Sequence, residues 1–165
     1  MARKVFYSFH YQPDCVRASQ VRNIGIVEGN SPASDNDWES VARGGDSAIQ
    51  NWIDSQLLGR TCTIVLIGKD TAGRKWIDYE IKKSWNDNKG VVGIYIHNLK
   101  NFAGLQTTMG SNPFTGFTLK EGTVNLSSVV KAYNPPYSDS KEVYKYISNN
   151  LNTWIEEAIR IRSQN

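Results

Sequence analysis

The chain has 165 residues, 39% of them hydrophobic and 21% charged, with a formal net charge of +3. That length and apolar fraction suit one globular domain, residues 1–165, with a real core. No basic block or arm stands out, which leaves out nucleic acid as a partner, and no apolar run is long enough to cross a bilayer.

The start runs directly into a strand, residues 4–10, apolar and aromatic enough to be buried on both faces. Pro13 and Asp14 then open a helix to about Arg22, with Pro at an early position and Asp near the cap. Residues 23–27 read as a short second strand. From Glu28 to Gly45 the chain turns polar and forms a long loop that holds Trp38; loops of that length are functional or disordered. Gly44, Gly45 and Asp46 introduce a second helix, with Asp46 most simply its cap. Ile49, Trp52, Ile53 and Leu57 recur on one of its faces, and Gly59 stops it.

Residues 61–67 are a strongly apolar strand. Residues 68–73 form a loop, and residues 74–85 a helix. At about 100° per residue, Ile77, Ile81, Ser84 and Trp85 share one face of that helix, while Trp76 and Glu80 sit four apart at its border. Residues 91–96 are the next buried strand. Residues 97–126 show no period and read as a long excursion, a lid or a surface feature, too polar to fold tightly unaided. Residues 127–133 are a weak edge strand. Ser138 or Ser140 caps a last helix whose apolar face is Val143, Tyr146, Ile147, Leu151, Trp154, Ile155 and Ala158.

Strands alternating with helices imply parallel pairing through right-handed crossovers. The expected fold is α/β, a three-layer flavodoxin-like sandwich around a mostly parallel sheet of four or five strands. The first and third strands are central, with a cleft at their carboxyl ends. Cys15 and Cys62, with no export signal, fit a reduced cytoplasmic protein. His10 and His97 lack CxxC or HExxH company, so no zinc site and no metal are expected.

GxxxxGK[ST] and GxGxxG are both missing, which argues against a P-loop enzyme and a dinucleotide-binding fold of the usual kind. What converges on the expected cleft is aromatic: Phe6, Ser8, His10 and Tyr11 at the first strand, Trp38, Asp46, the loop 68–73, and Trp76 with Glu80. Such a pocket suits a flat cationic ring, which aromatic faces attract; the nicotinamide of NAD is one. Its glycosidic bond is already activated, because the ring leaves as a neutral base. One carboxylate that stabilises an oxocarbenium-like transition state can then suffice, where ordinary glycosidases need two.

The stretches 3–11, 63–68 and 74–81, together with 112–114 and 126–129, resemble the TIR-like family of bacterial proteins, that of the Thoeris anti-phage systems. The resemblance spans most of the chain. It implies a TIR-type fold, Glu80 as the catalytic glutamate, and Phe6 and Trp76 as pocket walls. It also implies NAD as substrate rather than a bound cofactor, and a product derived from ADP-ribose, cyclic in many cases, that reaches an effector protein as a messenger. Activity that waits for a trigger, and assembly into a homo-oligomer, belong to the same expectation. The sequence departs from the family pattern after the first strand, where a basic residue is common and this chain has Ser8-Phe9-His10-Tyr11. The alternatives are a non-catalytic TIR assembly module, which does not require Glu80, and a non-catalytic nucleotide sensor.

Overall fold

A computed structural model describes residues 3–24, 28–29, 41 and 43–165. Its main sheet has five parallel strands: β1 (Lys4–Ser8), β2 (Glu28–Gly29), β3 (Cys62–Ile67), β4 (Gly90–Tyr95) and, after a small hairpin, β7 (Ala132–Tyr133), in the order β2-β1-β3-β4-β7. The hairpin is β5 (Thr118–Leu119) with β6 (Val124–Asn125). The helices are α1 (Tyr11–Arg22), α2 (Gly45–Leu57), α3 (Lys75–Asn86) and α4 (Ser140–Ser163). This is the expected three-layer flavodoxin-like sandwich, with β1 and β3 central and the strand order reversing between them.

All six residues of β3 and all six of β4 are buried. A strand covered by helices on both faces has no need to alternate polar with apolar, which is why these runs read as continuously hydrophobic. On one face Val5, Tyr7, Ile64, Leu66, Val92 and Ile94 pack with α1 and α4. On the other, Val65, Ile67, Val91 and Tyr95 meet Ile77, Ile81 and Trp85 of α3, and Phe6 meets Ile49, Ile53 and Leu57 of α2. Each fully buried aliphatic side chain contributes about 1.5–3 kcal/mol relative to exposure. The α4 stripe is buried as expected except Tyr146, which is half-buried.

Several local expectations change. Asp14 does not cap α1: it is buried, and Arg17 Nη1 donates to its Oδ1 at 3.0 Å. Asp46 is not a cap either, since Gly44 takes the N-cap position with no side-chain bond and Asp46 lies in the first turn, exposed. The cap of α4 is Asp139, whose Oδ2 accepts from Glu142 N at 3.1 Å, in place of Ser138 or Ser140. The edge strand shrinks to two residues, and residues 126–128 form a short 3-10 turn. The second strand lies later than 23–27: residues 23–24 are a turn that ends α1, residues 25–27 lie outside the described residues, and Glu28–Gly29, expected as the start of the loop, pair with β1 instead. Residues 30–40, Trp38 among them, lie outside the described residues.

The excursion 97–126 is held down more firmly than its polarity implies. Leu99, Phe114 and Leu126 are almost completely buried. Asn112 Oδ1 accepts from Phe114 N at 2.8 Å and starts the short 3-10 helix Pro113–Gly116 that drives Phe114 into the α3 face of the core. No helix among the described residues is long and apolar enough to cross a membrane.

Candidate active site

The site begins with the end of β1. Successive strand side chains point to opposite faces, so Ser8 shares a face with Phe6, the face that α2 and α3 cover. Opposite it stands Glu80, in the second turn of α3. The helix is fixed there from below. Ser84 Oγ donates to the Glu80 carbonyl at 2.6 Å, and this leaves Thr63 of β3 as the donor in its 2.6 Å bond to Ser84 Oγ. Thr63 and Ser84 are completely buried. The polar pair inside the sheet–helix interface thus ties the backbone of Glu80 to the central strand.

Part of Glu80 stays accessible to solvent, while protein crowds the carboxyl itself. Loss of hydration disfavours its charge and pushes its pKa from 4.5 to about 8. The one influence in the other direction is the hydroxyl of Ser8, which favours the carboxylate. Ser8 is buried, and its Oγ has no formed hydrogen bond to any described group. Glu80 and Ser8 therefore face each other without a completed contact: a largely protonated carboxyl and an unsatisfied hydroxyl at the carboxyl end of β1. Leaving a buried hydroxyl unpaired costs about 1–3 kcal/mol, which a ligand able to bond it would recover.

Trp76, one turn before Glu80, is half-buried and packs on the cluster that contains Phe6. Tyr79 meets it edge-on at 5.8 Å between ring centres, and Lys75 Nζ lies 4.9 Å above its ring. Tyr79 is itself held by a 2.7 Å bond from its hydroxyl to Asp54 of α2. Phe6, 3% exposed, forms the floor under this aromatic group. His10 is half-buried with its Nδ1 unpartnered among the described residues, and burial followed by the charge of Arg74 holds its pKa below the usual value. Tyr11 is the exposed first residue of α1 and lies 6.2 Å from the ring of Phe9. Asp46 forms an exposed ion pair with Lys75. The structure thus brings Ser8, Glu80, Phe6 and Trp76 together, places His10 beside the β3–α3 loop, and leaves Tyr11 and Asp46 at the rim.

That loop lines an open cleft of about 560 Å³, bounded by residues 69–70 and 72–75 and by Ser111 of the excursion. Its shape is set by Thr71, buried, whose Oγ1 accepts from Gly68 N at 2.8 Å. Gly68 has no room for a side chain: a Cβ there would lie 2.0 Å from Asp14 Oδ2. The cations of this cleft, Lys69, Arg74 and Lys75, carry no distinguishing sequence pattern, because isolated basic residues in a loop look like any solvated surface. Among the described residues no group of three His, Cys, Asp or Glu is placed to hold a metal ion.

The model of the TIR-like domain of Thoeris protein ThsB matches residues 6–101, which include every element of this site except Ser111. A protein of Bacillus cereus (strain MSX-D12) named "Putative cyclic ADP-D-ribose synthase ThsB1" is 37% identical over 120 residues, covering 69% of this chain and 62% of that protein. The match thus spans less than two thirds of the relative's own length. With more than half of its length matched by the family model, the chain belongs to the ThsB TIR-like domain family.

Proposed function

We propose that the protein cleaves NAD at the nicotinamide–ribose bond and makes a product derived from ADP-ribose, cyclic rather than linear, as a signal in anti-phage immunity. The observation that carries this reading is the Glu80 carboxyl, crowded by protein and facing the unsatisfied Ser8 hydroxyl beside the Trp76 ring. The membership in the ThsB family and the name of the relative support it.

In this mechanism the cationic nicotinamide lies against Trp76 and the ribose lies between Ser8 and Glu80. The positive ring, with the Ser8 hydroxyl, draws the Glu80 pKa down, so the carboxylate forms where charge will develop. The bond between ribose C1′ and the ring nitrogen breaks, and the bonding pair leaves with nicotinamide, which departs neutral. The oxocarbenium-like centre is stabilised by the Glu80 carboxylate. A nucleophile elsewhere in the same molecule then bonds to C1′ and loses its proton, which gives a cyclic product; water at the same position gives linear ADP-ribose. Exclusion of water from the cleft favours the internal nucleophile, which is already held nearby. Under this reading NAD is a substrate, the effector is reached through the product, and assembly of several copies belongs to the activated state.

The test is mass spectrometry of small molecules from cells that carry the parent or Glu80→Ala under phage challenge. The parent should release nicotinamide and accumulate a product of ADP-ribose type, and Glu80→Ala should reduce both a hundredfold or more, about the loss seen when a transition-state contact is removed. Identical nucleotide profiles would favour the assembly-module reading instead.

A further inference from the structure

The catalytic reading accounts for the ring and the ribose but leaves the charged middle of the dinucleotide without a place. The stretch after β1, residues 8–11, holds no lysine or arginine. The cleft beside it does. Lys69, Arg74 and Lys75 line it against a single carboxylate, Asp70. Arg74 Nε is held by the carbonyl of Asp70 at 3.1 Å, which steadies the guanidinium at the cleft wall. Lys75 shares its charge with Asp46 and with the Trp76 ring. Lys69 is exposed and makes no hydrogen bond among the described residues, so it is open to a ligand.

Two separate connections join this cleft to Glu80. Along α3, Trp76 directly follows Lys75 of the cleft wall and lies one turn before Glu80 on the same side of the helix. Along β1, His10 feels the charges of Arg74 and Asp70, and it lies two residues beyond Ser8, the neighbour of the Glu80 carboxyl. The Nδ1 of His10 has no hydrogen-bond partner among the described residues. The N-cap residue of α3, Arg74, makes no side-chain cap, so the first amides of the helix add to the positive field in the same cleft.

We infer that this cleft is a diphosphate subsite, in which Lys69 and Arg74 hold the pyrophosphate of the dinucleotide while the ribose reaches back along α3 to Glu80 and Ser8. The inference rests on the NAD-cleavage reading for the identity of the dinucleotide, though the chemistry required is only that of a diphosphate. Lys69 and Arg74 are binding residues here, with no part in bond breaking.

The experiment uses the whole chain with Glu80→Gln, so that nothing is turned over. ADP-ribose and inorganic pyrophosphate are the probes, titrated by calorimetry at low and at physiological salt. ADP-ribose should bind, pyrophosphate should compete with it, and added salt should weaken both. Lys69→Ala with Arg74→Ala should lower the ADP-ribose affinity about tenfold or more, and Lys69→Arg with Arg74→Lys should keep most of it. Both side chains are exposed, so the melting temperature should not move. ADP-ribose that does not bind the parent, or that binds the alanine pair as tightly as the parent, overturns the subsite. Failure of the catalytic reading looks different: affinity still falls in the alanine pair, while the chain with Glu80 intact releases no nicotinamide from NAD.

Discussion

Glu80 carries a cost that its substitution should expose. Its folded pKa of about 8 lies above the ordinary 4.5, because burial removes water from the charged form. Between those two values the folded state binds more protons than the unfolded one, so this group makes stability fall as pH rises from about 4.5 through about 8. Gln is close in shape to the protonated acid and does not ionise. Glu80→Gln should therefore melt with the parent near pH 5 and about 3 °C or more above it at pH 8.5. In the proposed mechanism the carboxylate is the working form, so kcat/KM for NAD in the parent should rise with pH and level off above about 8, since that ratio reports the free enzyme. A melting difference of the same size at both pH values would show that Glu80 is not the buried acid described here. The residue that is costly to fold is the one that the proposed mechanism sets against a cation.

Helix α1 shows how one element holds the rim of the site. Arg17 is 1% exposed, and all its bonds are made inside the protein. Its Nε donates to the Leu99 carbonyl at 2.9 Å and its Nη2 to the Leu105 carbonyl at 2.8 Å. Its Nη1 donates to Pro13 O and to Asp14 Oδ1, both at 3.0 Å. The helix thereby grips the first turns of the excursion 97–126, and Asp14 beneath Gly68 links the same pair to the β3–α3 loop. Arg17→Ala removes one partner of a buried ion pair and leaves Asp14 uncompensated, a loss of about 3–5 kcal/mol. A drop of the melting midpoint in urea to match is the expected result. A cost under about 1 kcal/mol would mean that water replaces the guanidinium easily. Removing both charges, in Arg17→Met with Asp14→Leu, should be milder than Arg17→Ala alone on the side of the ion pair, but it still frees the two excursion carbonyls.

At the scale of the whole molecule, the cleft exists because a segment forty residues downstream closes on the β3–α3 loop. Gly110 lies against that loop so tightly that a Cβ would come within 2.2 Å of Gly68 O and 2.7 Å of Lys69 O. Backbone cannot yield as a flexible side chain can, so Gly110→Ala should lift the excursion from the loop and move Ser111 from the cleft wall. Phe114 stays anchored in the core, which confines the damage to residues near 110. The expected outcome is a folded protein with faster amide exchange in residues 105–112 and weaker ADP-ribose binding. Unchanged exchange there would show that the contact carries no strain.

Much of this arrangement was legible in the residues alone, for a local reason. Ile77, Ile81, Ser84 and Trp85 are the four buried positions of α3 because helical spacing puts them on one side whatever that side meets. The same rule left Trp76 and Glu80 half-buried at the border and marked the buried stripe of α4. The parallel sheet followed from the alternation of unbroken apolar strands with helices. Partners distant in sequence were not legible, since no period reports them. Asp14 and Arg17 look like a surface pair three residues apart, and they become buried only because carbonyls from Leu99 and Leu105 arrive to bond Arg17. The excursion has no period because single plugs, Phe114 and Leu126, hold it in place of a repeated face. The pattern placed a carboxylate at the edge of a helix. Its confrontation with Ser8, and the raised pKa that follows, were decided by the register of β1 on β3 and by the seat of α3 on Thr63, because burial and charge depend on what the folded chain brings within reach.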